Sequence, residues 1–230
     1  MSQVSQPITT VLFDLDGTLV DSIPDLSDAC NAMLHDLERP TLEEARISQF
    51  VGKGTDLLIK RCLANDSNPE EPPSEVFKLA KALFEKHYHK TNGQRSQLFP
   101  HIVEGLQALK QQGYLLAVVT NKPMQFTEQL LQHKQLKQFF ELIVAGDSCE
   151  RKKPHPDPIL FACKQLQVRP SEAVFVGDSN NDAQAAAAAA MPCLILPYGY
   201  TEGEDVQTFK VSAIVNNILE VIDWLGQHSS

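Results

Sequence analysis

The stretch TTVLFDLDGTLVDS, residues 9–22, begins as a β-branched, apolar run and then sets Asp14 and Asp16 one residue apart, ahead of Gly17 and Thr18. Residues 9–15 read as a buried strand that ends in two like charges. The segment after this strand decides the architecture. From about residue 24 to 90 the apolar period is helical: DLSDACNAMLHDL, TLEEARISQF with a TxxE capping pattern at Thr41 and Glu44, TDLLIKRCL, and SEVFKLAKALFEKHYHK. The proline-rich stretch 65–74 is a loop inside this block.

After LFPH (98–101) strand and helix alternate: IVEGLQALKQQ stopped by Gly113, YLLAVVT, PMQFTEQLLQHK, LIVAG, DPILFACKQLQ, AVFVG, DAQAAAAAA, CLIL and a final helix AIVNNILEVIDWL. Such alternation implies an α/β fold, a Rossmann-like doubly wound parallel sheet with helices on both faces. The helical block is then an inserted cap. The expected division is a core of residues 1–20 and 95–230 and a cap of residues 21–94.

The 230-residue chain is 43% hydrophobic and 21% charged, with a net charge of −9. These values suit a soluble globular protein and disfavour a nucleic-acid surface, which needs a basic stripe. Five scattered cysteines without a CxxC pair point to neither a disulfide framework nor a zinc knuckle, and so to a reducing cytoplasm. The N-terminus lacks a basic region followed by a long apolar core, and no apolar run is long enough to span a bilayer.

In an open parallel sheet ligands bind beyond the carboxyl ends of the strands. Asp14 and Asp16 end the first strand, Thr120 and Asn121 end YLLAVVT, Lys152 and Lys153 follow LIVAG, and Asp178 ends AVFVG. Each has an ordinary reading: a turn-capping Asp, a β-branched strand end, a solvated lysine. Ser179 and Asp182 also fit an SxxD helix start, which leaves Asp178 free of that duty.

Together the set suits phosphoryl transfer to a carboxylate. Asp14 is an anion at neutral pH and needs no base to attack phosphorus. Approach to a phosphate dianion is the obstacle: at an effective dielectric near 20, two negative charges about 4 Å away repel it by roughly 8 kcal/mol, about six decades of rate. The countercharge must be local in so acidic a chain. Mg2+ held by Asp14 and Asp178, with Lys153 and Thr120 on the phosphoryl oxygens, would supply it. Asp16 is left to protonate the leaving group and then to activate water.

FDLDGTLVDS, VVTNKP, KKPHPDP and VFVGDSNND, in this order, resemble the four signature motifs of the haloacid dehalogenase superfamily of phosphatases. The resemblance implies Asp14 as nucleophile, Asp16 as acid/base and, through its carbonyl, a further magnesium ligand, and Asp178 on the metal. It also implies Thr120 and Lys153 on phosphate, Asn121 as an added phosphate contact, and Asp182 in support. VGKG (51–54), LFPH and YGY (198–200) are similar to segments of the bacterial phosphoglycolate phosphatase family. That likeness implies a small phosphorylated metabolite, 2-phosphoglycolate, as substrate, in a monomer or homodimer without nucleic-acid or membrane partners. Ala190 departs from it, because the family usually ends this helix with glycine.

Gly52 and Gly54 let the backbone approach a small ligand. Lys53 between them reads either as a solvated loop lysine or as a contact for the substrate's carboxylate. Asp16 argues against the phosphonate-cleaving and dehalogenating members, which lack it. A sugar-phosphate mutase or phosphatase, a pyrophosphatase, and a catalytically idle binding or regulatory module on the same fold are the alternatives.

Overall fold

The computed structural model describes residues 7–228. Residues 1–6, which carry part of the N-terminal reading, lie outside it. In chain order the elements are β1 (Thr10–Phe13), β2 (Val20–Asp21), α1 (Ile23–Asp36), α2 (Glu44–Ser48), α3 (Thr55–Ala64), α4 (Ser74–Thr91), β3 (Gln97–Leu98), α5 (Ile102–Gln111) and β4 (Leu115–Val119). They continue with α6 (Met124–His133), β5 (Leu142–Val144), α7 (Asp157–Leu166), β6 (Ala173–Gly177), α8 (Asn180–Ala188), β7 (Cys193–Ile195), β8 (Ala213–Ile214) and α9 (Ile218–His228).

Six strands form a parallel sheet in the order β5-β4-β1-β6-β7-β8. Alternate side chains of β1 serve opposite layers. Val11 and Phe13 pack with α5, α6 and α9 through Leu106, Leu130 and Val221, whereas Leu12 packs with α7 and α8 through Ile159 and Ala186. All four β1 residues are buried, as a central parallel strand requires. The sheet is therefore doubly wound.

The register of β1 places the site. Phe13 pairs with Val118 on one side and Val176 on the other. Asp14 thus leaves the sheet level with the residues that precede Thr120 and Asp178, at the point where the chain switches from one side of β1 to the other. Gly17, at φ +87°, turns the chain back, and a Cβ there would stand 2.3 Å from an Asp178 oxygen. Only glycine fits both the backbone and the space.

Helices α1 to α4 build a core of their own around Met33, Phe50, Ile59 and Phe84, and are tethered by the antiparallel β2–β3 ribbon. Phe126 and Tyr200 complete this core from the far side of the ribbon. Asp25, fully buried in α1, accepts the backbone N–H groups of Gly93 (2.7 Å) and Arg95 (2.6 Å) and so pins the exit of α4 beside the entry of α1.

Three local expectations are corrected. The final helix begins at Ile218, because residues 213–214 pair with β7 as an added edge strand. The TxxE cap does not form: α2 starts at Glu44 after a bare Glu43 cap. Asn31 on α1 holds the Leu42 backbone through both its N–H (2.8 Å) and its carbonyl (2.9 Å), so residues 41–43 stay outside the helix. Finally, α8 stops cleanly without glycine. Ala190 takes φ +54°, with Ala190 N–H donating to Ala187 and Met191 N–H to Ala186, a Schellman close at the cost of a left-handed alanine.

Among the described residues no helix is long and apolar enough to cross a membrane, and the five cysteines are unpaired in disulfides.

Candidate active site at the carboxyl edge of the sheet

Asp14 is fixed through its backbone, which donates to Val176 O (2.9 Å), and through its Oδ1, which accepts the Leu15 N–H (2.8 Å). The same oxygen lies 3.1 Å from Lys153 Nζ. Burial pushes the Asp14 carboxyl up to about 6, with Lys153 opposing the rise and Asp182 adding to it.

Lys153 is buried with three oxygens around its ammonium: Val119 O (2.8 Å), Asp182 Oδ1 (2.7 Å) and Asp14 Oδ1. Burial pulls the Lys153 ammonium down, but Asp14 and Asp182 outweigh it and hold it above the ordinary lysine value. Asp182 thus serves two structures. Its Oδ1 anchors Lys153, while its Oδ2 accepts from the Ser179 hydroxyl (2.8 Å), the Ser179 N–H (3.1 Å) and the Asp178 N–H (3.2 Å) at the start of α8.

Asp178 accepts Thr18 Oγ1 on one oxygen (2.7 Å) and the Tyr200 N–H on the other (2.6 Å). Burial, then the neighbouring Asp182 and Asp14, raise its carboxyl well above the usual range. Oxygens of Asp14, Asp178 and Asp182 all lie within 4.8 Å of one another. With Asp16 nearby, four carboxylates share the region with two ammonium groups, Lys153 and Lys122. An all-oxygen, net-negative donor set of this kind fits a hard divalent cation. Asp14 and Asp178 keep lone pairs for it, whereas Asp182 is committed to Lys153 and the helix start.

Asp16 contributes no carboxylate to that group. Both of its oxygens are 3.1 Å from Lys122 Nζ. Lys122, 5% exposed, also donates to the Tyr88 hydroxyl and sits 4.7 Å above the Tyr88 ring. Tyr88 comes from α4 and packs at a tilt against Phe126 of α6, so this triangle spans the junction of the helical block and the sheet layer.

Asp14, Asp16, Thr120, Asn121 and Lys122 line a cavity of about 40 Å³, closed on the other side by Leu26, Val51, Gly52, Gly54, Thr55, Leu58 and Tyr88. Asn121 joins the two walls: its amide donates to Gly52 O (3.1 Å) and Lys153 O (3.0 Å), and its carbonyl accepts the Lys153 N–H (3.0 Å). The Asn121 side chain is thereby engaged with backbone rather than held free for a phosphate.

Lys53 does not line this cavity. Its ammonium turns to Glu202 (3.2 Å), which also meets the buried Arg61 (2.8 Å). Arg61 further donates to Phe50 O and Ser67 O, so one carboxylate from the loop after YGY grips α3 and the turn before it. Sequence reasoning gives no role to Lys122, Tyr88, Thr18, Arg61 or Glu202. A lysine directly after two strand-end polar residues and directly before a helix-opening proline is the available signal for Lys122.

The model of the haloacid dehalogenase-like hydrolases matches residues 11–196. The chain is 44% identical to a phosphoglycolate phosphatase of Nitrosospira multiformis, covering 97% of this chain and 98% of that one. It is 41% identical to a phosphoglycolate phosphatase of Thiobacillus denitrificans, covering 96% of each. The crystal structure of a predicted phosphoglycolate phosphatase from Haemophilus somnus superposes with a TM-score of 0.88 at 34% identity, over 94% of this chain and 97% of that one. With the doubly wound sheet, the four motifs at its carboxyl edge and these likenesses together, the chain belongs to the haloacid dehalogenase-like hydrolases.

Proposed function

We propose that the protein is a magnesium-dependent phosphomonoester hydrolase that converts 2-phosphoglycolate to glycolate and phosphate. The observation that carries this reading is the pairing of buried Lys153 with Asp14, which lines the cavity, in a chain whose relatives at 44% and 41% identity are phosphoglycolate phosphatases. Asp14 attacks phosphorus as the P–O bond to the glycolate oxygen breaks, and Asp16 gives that oxygen its proton. Water then attacks phosphorus in the aspartyl-phosphate and gives a proton to Asp16, as the bond from phosphorus to the Asp14 oxygen breaks, which frees phosphate and restores the Asp14 carboxylate.

Lys153, locked by its three oxygens, faces the phosphoryl charge without having to reorganise, and Thr120 donates its hydroxyl to the same group. Asp14, Asp178 and the Asp16 carbonyl would hold Mg2+, which when bound would supply countercharge to the phosphoryl oxygens. Asp182 holds Lys153 in place, and Asn121 couples Lys153 to the Gly52 wall. Free cysteines throughout and an acidic surface suit a cytoplasmic enzyme acting on a small metabolite.

Phosphate release is to be measured with 2-phosphoglycolate, β-glucose 1-phosphate and pyrophosphate, with Mg2+ and with a chelator. The expected result is metal-dependent turnover fastest with 2-phosphoglycolate and lost in Asp14→Asn. Folded wild-type protein that releases no phosphate from any of the three would overturn the hydrolase reading, and a preference for the sugar phosphate would move the substrate to the mutase-like class.

A further inference from the structure

We infer that Lys122, together with the Tyr88 hydroxyl, is the group that recognises the carboxylate of the substrate, a role that rests on the phosphoglycolate reading and extends it to the leaving group. Among the described residues, Lys122 is the one cationic side chain that lines the cavity. Lys153 is spent on the phosphoryl side, and Lys53 is turned away to Glu202. The rest of the wall opposite Asp14 is Leu26, Val51 and Leu58 with the short Gly52–Thr55 turn, whose one charged side chain, Lys53, is paired with Glu202, while the Lys152 ammonium stands behind Gly54, 3.2 Å from where a Cβ would be, and does not line the cavity.

Position adds to charge. Lys122 Nζ is 3.1 Å from each oxygen of Asp16, the group that meets the leaving oxygen. In glycolate the leaving oxygen and the carboxylate are separated by a single carbon, so a molecule with its leaving oxygen on Asp16 carries its carboxylate to the neighbourhood of Lys122. A sugar phosphate would place carbon there and its next polar group farther off.

The hydrogen bonds around Lys122 are also suited to exchange. Its three protons go to two Asp16 oxygens and to the Tyr88 hydroxyl oxygen. Tyr88 accepts in that bond, and among the described residues its own proton meets no acceptor. An arriving carboxylate can therefore take one Lys122 proton from Asp16 and the free Tyr88 proton, two charge-assisted bonds in a nearly dry site. Tyr88 is kept a neutral donor by burial and by the nearby Asp16 carboxylate.

The test compares kcat/KM for 2-phosphoglycolate with that for ethyl phosphate, which has a methyl group where the carboxylate was. The ratio of the two is the readout, because any effect of Lys122 on Asp16 acts on both substrates and divides out. Wild type should show a large ratio, which Lys122→Met lowers by about 100-fold, chiefly through KM, and Lys122→Arg restores in part. Tyr88→Phe keeps the ring packing and removes only the hydroxyl, so it tests the same claim in a protein that folds, with a drop of about 10-fold. A ratio that stays at the wild-type value in Lys122→Met and in Tyr88→Phe overturns the inference while leaving the substrate assignment intact, since Lys122 then serves only Asp16. A wild-type ratio near one instead removes the substrate assignment, and the carboxylate site with it.

Discussion

The two aspartates of the DLD triplet each meet a buried lysine, and the two lysines are held in different ways. Lys153 belongs wholly to the sheet layer: all three of its partners, Val119, Asp182 and Asp14, sit on the carboxyl edge of the strands. Lys122 is shared, with Asp16 on the sheet side and Tyr88 on the helical side. The first pair is rigid whatever the helical block does, which suits stabilising a charge that is the same in every phosphoester. The second exists in this form only while α4 lies over the sheet, which suits sensing the part of the substrate that varies. On the proposed reading, the chemistry common to all phosphoesters rests within one layer and the discrimination between them rests on a contact between two.

The most severe way to break this comparison is at the rigid end. Asp14→Asn should lower phosphate release by at least about three decades, since the amide cannot serve as nucleophile, with little change in secondary structure by circular dichroism. Lys153→Met should cost activity and also stability. It leaves Asp14 and Asp182 buried without their cation, worth about 3–5 kcal/mol, or roughly 10 °C in Tm by calorimetry.

The pH profile sharpens the same end. Burial raises Asp14 to about 6 from an ordinary carboxylate value, so the folded state prefers its protonated form. Stability from this group in the metal-free protein is fully present below the unfolded carboxyl value and is lost as pH rises through about 6. Activity runs the other way, because the nucleophile must be ionised: kcat/KM should fall below about pH 6, and saturating Mg2+ should move that limb to lower pH. A limb that does not respond to Mg2+ would detach Asp14 from the cation.

At the joint the effects are milder. Glu202→Gln removes the charge shared by Arg61 and Lys53 but leaves Arg61 its two carbonyl partners. The expected loss is about 1–3 kcal/mol in thermal unfolding, with KM for 2-phosphoglycolate raised by no more than about 10-fold. Ala190→Gly is the control far from both pairs. It relieves the left-handed alanine, should raise Tm by roughly 2–4 °C, and should leave turnover at the wild-type value.

Legibility in the sequence divides along the same line. The gathering of Asp14, Thr120, Lys153 and Asp178 is a consequence of strand–helix alternation, because each ends or succeeds a strand and parallel strands put such ends on one edge. Lys122 stands in the same segment as Thr120, and its place before the helix-opening proline is the one signal the sequence offers for it. A lysine is solvated by default, and its burial depends on Tyr88 arriving from 34 residues away across an insertion whose angle no local pattern encodes. The Arg61–Glu202 contact, 141 residues apart, is illegible for the same reason. Residues 213–214 read as helix because two residues are too few to show a strand period; only the edge of β7 makes them a strand.

Tyr200 shows what such a joint makes possible. Its amide grips Asp178 (2.6 Å), while its phenol donates to Asp21 (2.7 Å) and accepts the N–H groups of Ser22 (2.7 Å) and Ile23 (3.3 Å), where β2 gives way to α1. One residue is therefore bonded to a carboxylate of the acidic cluster at one end and to the first residues of the helical block at the other. Taking away the phenolic hydroxyl alone, in Tyr200→Phe, would therefore loosen the start of α1 and leave the backbone grip on Asp178 in place.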